Sequence, residues 1–275
     1  MGSLDGKVAF ITGAARGQGR SHAVMLAEQG ADIIGVDISK QVSTVPYPTA
    51  QPGDLEETVR LVEATGRRML ASDVDVRDLA GLREAVDRGV AEFGRLDIVI
   101  ANAGINTAAP TIEMEEEMWN EMIDINLTGV WKTVRAAVPH IVAGGRGGSV
   151  LLISSIVTEM PNNNIAHYAA AKHGVVGLMR VLTKELGQHN IRVNSIHPTT
   201  VATDMVLNDM TYRLFRPELE NPTREDFESA LSAMYRLPIR IVEPVDISNA
   251  VLYLVGDTGR YVTGATHYVD AGGHL

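Results

Sequence analysis

Short runs of apolar residues alternate with longer amphipathic segments along the whole chain. Val8-Ala9-Phe10-Ile11, Ile33-Ile34-Gly35-Val36, Ile98-Val99-Ile100, Val150-Leu151-Leu152-Ile153 and Ile191-Arg192-Val193 have the length and near-continuous apolar character of strands buried on both faces. Between them, Ser21–Gln29, Leu79–Phe93, Trp119–Val142 and Ala169–Gln188 carry the spacing of helices with one apolar face. Pro244 suits the first turn of a late helix, where its missing N–H costs nothing. Strand–helix alternation of this kind predicts an α/β fold, a doubly wound parallel sheet with helices on both faces. No repeat or linker interrupts residues 1–275, so a single domain is expected.

Two segments break the rhythm. Residues 39–53 hold Pro46, Pro48 and Pro52 without periodicity and read as a long loop. Asp54-Leu55-Glu56-Glu57 then resembles a helix N-cap with a reciprocal Glu three residues on. Residues 199–240 are rich in Met, Leu and aromatics but contain no strand slot. A segment of this kind at the carboxyl edge of a parallel sheet suits a substrate lid.

The chain has 275 residues, 45% of them hydrophobic, which is enough for one large core. A formal net charge of −10, with no Lys/Arg cluster against it, argues against nucleic acid as a partner. With no cysteine and no HxxxH or HExxH spacing among its eight histidines, no metal site is expected. No apolar run is long enough to span a membrane, and the first residues lack a signal-peptide pattern, so a cytoplasmic location is the expectation.

The chemistry begins directly after the first strand. Gly13, Gly17 and Gly19 in Thr12-Gly13-Ala14-Ala15-Arg16-Gly17-Gln18-Gly19 allow a tight turn whose N–H groups can approach a diphosphate at the next helix. Asp37 ends the second strand, 18 residues beyond Gly19. A carboxylate there accepts hydrogen bonds from ribose hydroxyls and repels a 2′-phosphate, which favours NAD over NADP. Arg16 pulls the other way, because a guanidinium beside the phosphates would welcome NADP. Tyr168 and Lys172 stand four residues apart on one helical face, and Ser155 lies 13 residues before the tyrosine at the end of a strand.

Together these motifs resemble the short-chain dehydrogenase/reductase family from about Leu4 to Gly273, and the resemblance implies a Rossmann-type, mostly seven-stranded parallel sheet. The resemblance implies catalytic roles for Ser155, Tyr168, Lys172 and Asn126 (in Asp124-Ile125-Asn126-Leu127). It implies cofactor contacts from Gly13, Arg16, Gly17, Gln18, Gly19 and Asp37, from Asp75-Val76, and from Asn102, Ala103 and Gly104. Tyr168, Lys172, Pro198, Val201 and Thr203 complete that implied set. Gln18, Ala101 and Thr199 depart from the family's usual residues in ways that bear on loop shape. A phenol titrating near ~10 is a poor base at neutral pH. Lys172 and a cationic nicotinamide would favour its phenolate, and Asn126 would position a water linking Lys172 to solvent.

Gly17-Gln18-Gly19, the 39–53 insertion and His197-Pro198-Thr199 are similar to the carveol-dehydrogenase-like, mycofactocin-associated subgroup. That resemblance implies a hydrophobic secondary alcohol or ketone as substrate, an external electron acceptor of the mycofactocin type, and a homotetramer. The Trp119–Val142 and Ala169–Gln188 helices would lie in its interfaces. A pocket from Met205, Val206, Leu207, Met210, Tyr212, Leu214, Phe215, Met234 and Tyr235, with Ile156, Met160 and Ile165, would suit such a substrate. Val42, Val45 and Tyr47 would lay apolar surface over the adenine. The rival readings are an idle dinucleotide-binding sensor or scaffold and a methyltransferase on a similar sheet. Neither needs the Ser–Tyr–Lys set.

Overall fold

A computed structural model describes residues 2–275. Strand β1 (Val8–Thr12) leads into α1 (Gly17–Glu28), followed by β2 (Asp32–Asp37), α2 (Asp54–Glu63), β3 (Met69–Asp73), α3 (Leu79–Phe93) and β4 (Ile98–Ala101). The second half runs through α4 (Glu116–Ile123), α5 (Gly129–Gly144), β5 (Gly148–Ile153), α6 (Ala166–Leu186) and β6 (Ile191–Pro198). It ends with α7 (Asp209–Phe215), α8 (Arg224–Met234), α9 (Pro244–Val255) and β7 (Thr266–Val269). All seven strands pair in parallel, in the order β3-β2-β1-β4-β5-β6-β7.

The central strands show why their sequences are apolar without alternation. Ala9 and Ile11 of β1 join the layer formed with α1 and α9, whereas Val8 and Phe10 join the layer of α3, α5 and α6. Leu151 and Ile153 face the first layer, and Val150 and Leu152 the second. Each face is covered, so nearly every position of these central strands is buried. The strand order reverses between β1 and β4, opening a crevice at their carboxyl ends.

The seven-stranded sheet is as expected, and three local expectations are corrected. The five apolar runs are the five central strands, but β3 and β7 carry little apolar signal because they are edges, where one side faces solvent. The Trp119–Val142 helix is α4 and α5 joined through one π-helical turn, Asp124–Thr128. Asp54 is not the cap of α2. Gly53 takes that place in a left-handed conformation (φ 97°), and the Asp54 carboxylate accepts from Gln51 N at 2.8 Å. Its supposed partner Glu57 instead pairs with Arg60 at 2.7 Å. Finally, the 199–240 segment has no strand in the sheet but does hold α7 and α8, whose Phe227, Leu231 and Tyr235 form a small core of their own.

Candidate active site

Two adjoining cavities lie along the carboxyl edge of the sheet. The first is walled by the glycine loop, Asp37, Asp75, Val76, Asn102, Ala103 and Gly104. The second is walled by Ser155, Tyr168, Lys172, Pro198 and Val201. Gln18, Asn102, Gly104, Ile105, Thr203 and Met205 border both. Every site residue expected from sequence lines one cavity or the other except Asn126, which stands behind the wall.

The glycine loop is held by close approaches that exclude side chains. A Cβ on Gly19 would stand 1.9 Å from Gly13 O, and one on Gly13, where φ is +69°, would stand 2.8 Å from Ala103 Cα. Asn102 fastens the loop to β4, its Nδ2 donating to Thr12 O at 3.0 Å and Gly13 O at 3.2 Å. Asp37 fastens it to β2, accepting from Ala15 N and Ile38 N, each at 2.8 Å. Burial pushes the Asp37 carboxyl up, and these two N–H groups work against that rise. Arg16 is not a free cation, because it pairs with Asp204 at 2.8 Å. Gln18 Oε1 is buried at the junction of the cavities without a protein partner.

The insertion, residues 39–53, stands against the first cavity on a framework of its own. Gln41 Nε2 donates to the carbonyls of Val42, Val45 and Tyr47 at 3.2, 2.9 and 3.0 Å, and its Oε1 accepts from Thr49 N at 3.1 Å. Thr44 bonds Glu121 of α4, which pairs with Arg77 at 2.9 Å, and Arg77 grips Asp75 at 2.7 Å. Burial would raise the Asp75 carboxyl, but the Arg77 fork outweighs it and holds it low. Val42, Val45 and Tyr47 are buried with Val76, Ile105, Met122 and Ile125. The three therefore build a core beneath the loop. Val42 and Tyr47 border the cavity as well, while Val45 does not. Proline spacing marks the loop in the sequence, but Gln41, whose amide organises it, gives no signal there.

At the other end, Ser155 closes β5 in an extended conformation, its Oγ accepting from Val157 N at 3.2 Å. Tyr168 and Lys172 lie on the first turns of α6, with Lys172 Nζ 5.6 Å from the Tyr168 ring centroid and donating to Ile153 O at 2.9 Å. Burial lowers the Lys172 ammonium to about 8. Burial also pushes the Tyr168 phenol up, and a hydrogen bond with Ser155 opposes this. The lowered phenol expected from sequence belongs to the state with a cationic nicotinamide beside it; without that charge, burial holds the phenol up.

Asn126 sits in the π-helical turn between α4 and α5, an irregularity that turns its side chain onto the strip after β4. Its Oδ1 accepts from Ile105 N at 2.8 Å and its Nδ2 donates to Ile105 O at 2.7 Å. A Cβ on Gly104 would meet Asn126 Oδ1 at 3.2 Å and Lys172 Nζ at 3.6 Å. The bare glycine therefore keeps open the space between amide and ammonium. His197, marked in the sequence only as part of a motif, supports Ser155 from below. Its Nδ1 donates to Ser155 O at 3.1 Å and its Nε2 accepts from Ser195 Oγ at 2.8 Å.

The anticipated substrate wall divides in two. Ile156, Met160, Ile165, Met205, Val206, Leu214 and Phe215 line the second cavity. Leu207, Tyr212, Met234 and Tyr235 pack around Phe227 and Leu231 inside the 199–240 segment, and Met210 packs against the insertion's core.

The short chain dehydrogenase family profile matches residues 7–211. The chain belongs to the short-chain dehydrogenase family. A (−)-trans-carveol dehydrogenase from Rhodococcus erythropolis is 55% identical over 274 residues, spanning 99% of each chain. The crystal structure of a carveol dehydrogenase from Mycobacterium avium in complex with NAD is 54% identical, with a TM-score of 0.97 over 99% of both chains. A short chain dehydrogenase from Mycobacterium paratuberculosis, bound to NAD, is 47% identical, with a TM-score of 0.91 over 99% of both.

Proposed function

We propose that this enzyme of the short-chain dehydrogenase family uses NAD to oxidise a hydrophobic secondary alcohol, or to reduce the matching ketone, in the manner of its carveol dehydrogenase relatives. One observation carries the reading. The second cavity brings Ser155, Tyr168 and Lys172 together with an apolar stretch of wall from Ile156, Met160, Ile165, Leu214 and Phe215, and it shares Gln18, Asn102, Gly104 and Thr203 with the cavity behind the glycine loop.

The first cavity suits a dinucleotide. Its loop tolerates no Cβ at Gly13 or Gly19, it holds a half-buried carboxylate at Asp37, and its Gln18 oxygen is buried without a protein partner. Gly13, Arg16, Gly17, Gln18, Gly19, Asp37, Asp75, Val76, Asn102, Ala103 and Gly104 would hold the adenosine and diphosphate. Tyr168, Lys172, Pro198, Val201 and Thr203 would hold the nicotinamide side. NAD supplies the hydride acceptor. On the protein's side, Ser155 holds the substrate oxygen, Tyr168 takes its proton, and Lys172 favours the phenolate. Asn126 and Gly104 keep room for a water that passes the proton outward.

The intact Ser155–Tyr168–Lys172 set disfavours an idle sensor or scaffold. The insertion's own hydrogen-bonded framework supports a cover that retains NAD between turnovers. An external acceptor of the mycofactocin type would then reset it. The same reading has the enzyme working in the cytoplasm as a homotetramer. Trp119, Trp131 and Val181 expose apolar surface on α4, α5 and α6, and a second copy would cover it. Among the described residues no helix is long and apolar enough to cross a membrane, and no cluster suits a metal ion.

A substrate panel tests the chemistry: cyclic apolar alcohols should outperform sugars and hydroxy acids, and the reverse order would end the proposal. Cofactor retention is tested by gel filtration followed by alcohol with and without added NAD⁺. A single stoichiometric burst, restarted by an artificial electron acceptor, supports a trapped cofactor. Sustained NADH accumulation on added NAD⁺ refutes it.

A further inference from the structure

Tyr47 is buried to 4% exposure in the wall of the first cavity, and its hydroxyl accepts from Asn106 N at 2.9 Å. That bond uses a lone pair. Among the described residues no protein acceptor takes the phenol's own proton. Asn106 Oδ1, on the residue bonded to the phenol oxygen, is itself without a partner. A buried hydroxyl with an unmet proton is costly, and buried polar groups in native structures rarely stay so. The proton's remaining outlet is the cavity that Tyr47 borders.

The position of the ring narrows what it would meet. Tyr47 belongs to the cluster of Val76, Ile105, Met122 and Ile125, against which Tyr168 and Met205 also pack. Arg16 of the glycine loop lies on the same cavity wall. The phenol therefore stands between the loop that would carry the diphosphate and the tyrosine that would face the nicotinamide. Gln41 and Glu121 hold the insertion from within and from α4, so the hydroxyl is set in place before any ligand arrives.

We propose that Tyr47 is a cofactor-binding residue: its hydroxyl accepts from Asn106 N and donates to an oxygen of the dinucleotide's nicotinamide-side phosphate or ribose, tying the insertion to the cofactor. The inference rests on reading the first cavity as the NAD site. It assigns the insertion a polar hold on the cofactor in addition to its cover. It also joins that hold to the strip that Asn126 clamps, since Ile105 and Asn106 are consecutive.

Tyr47→Phe keeps the ring and removes both bonds. The intact protein is the starting material, and exchange of isotope-labelled NAD⁺ into it is timed. Binding of ADP-ribose and of AMP is measured by competition, and the melting temperature is recorded with and without NAD⁺. In the variant, NAD⁺ should exchange about tenfold faster and ADP-ribose should bind about tenfold more weakly, the loss expected for one hydrogen bond. AMP, which lacks the diphosphate bridge and second ribose, should bind as it does to the wild type. The variant should also gain less melting temperature from NAD⁺ than the wild type does. Unchanged exchange and unchanged ADP-ribose binding would overturn the proposal. So would an equal loss for AMP, because a merely loosened loop would weaken every nucleotide alike. A wild-type protein that binds none of the three would overturn the NAD reading itself, and this inference with it.

Discussion

Arg16 and Asp204 form a 2.8 Å ion pair that joins the glycine loop to the segment running over the second cavity. The pair bears on two opposed readings of Arg16. A guanidinium engaged by a carboxylate is less free to donate to a 2′-phosphate, and the half-buried Asp37 carboxylate would repel one. Thr203 tightens the same junction, since a Cβ on Gly17 would stand 3.1 Å from its Cγ2.

Cofactor choice should respond to both carboxylates, unequally. Asp37→Ala should weaken NAD binding and relax the bias against NADP. It should also cost roughly 1–3 kcal/mol of stability, because Ala15 N and Ile38 N lose their acceptor. Asp204→Asn frees Arg16 and should improve NADP relative to NAD by a smaller factor, since Asp204 is largely exposed. Ratios of kcat/KM for the two cofactors check this; a wild type that prefers NADP would contradict it.

Tyr168→Phe should lower turnover by roughly 10²–10⁴-fold while weakening cofactor binding far less. Lys172→Met should move the rise of activity to higher pH. The phenol, already pushed up by burial, then loses its neighbouring ammonium. Profiles of kcat against pH for the three proteins measure both effects.

Gly104→Ala places a methyl group 3.2 Å from Asn126 Oδ1 and 3.6 Å from Lys172 Nζ. Folding should survive, because the neighbours need to give by only a few tenths of an ångström. Turnover should fall by about tenfold or more if the space between them carries the proton. A variant with wild-type turnover and a wild-type pH profile would remove that route.

Acid should destabilise the fold through two core histidines. Burial lowers His22 to about 3 and His197 to about 4, below the ordinary value of 6.5. The unfolded chain therefore binds protons that the folded chain refuses. Their share of stability is intact above pH 6.5 and declines as pH falls toward 4 and then 3. At ~1.4 kcal/mol per pKa unit, the combined loss is on the order of several kcal/mol. Denaturant titrations across pH 3–8 should show this slope, and His22→Leu should flatten part of it.

Much of this architecture is written locally. A strand buried on both faces is apolar over most of its length, so the runs of β1, β2, β4 and β5 are legible in the sequence, while β6 shows only its start at Ile191-Arg192-Val193 before the buried Asn194, Ser195 and His197. A loop that lets backbone approach a phosphate needs glycine, and a phenol and ammonium on one face of a helix need a spacing of four. These are constraints between near neighbours, and the chain states them directly. The edge strands β3 and β7 escape because half their surface meets water and their composition is free to vary. What only the tertiary structure decided is which distant groups meet. Arg16 finds Asp204, Tyr47 finds the backbone of Asn106, and a π-helical turn aims Asn126 at Ile105. The same holds for the lid, where Phe215 packs on Phe227 and also reaches the cavity while Tyr235 only packs inward, although both read as apolar. Hydrogen bonds and ion pairs between residues far apart in sequence depend on how the layers stack. No spacing along the chain encodes that stacking.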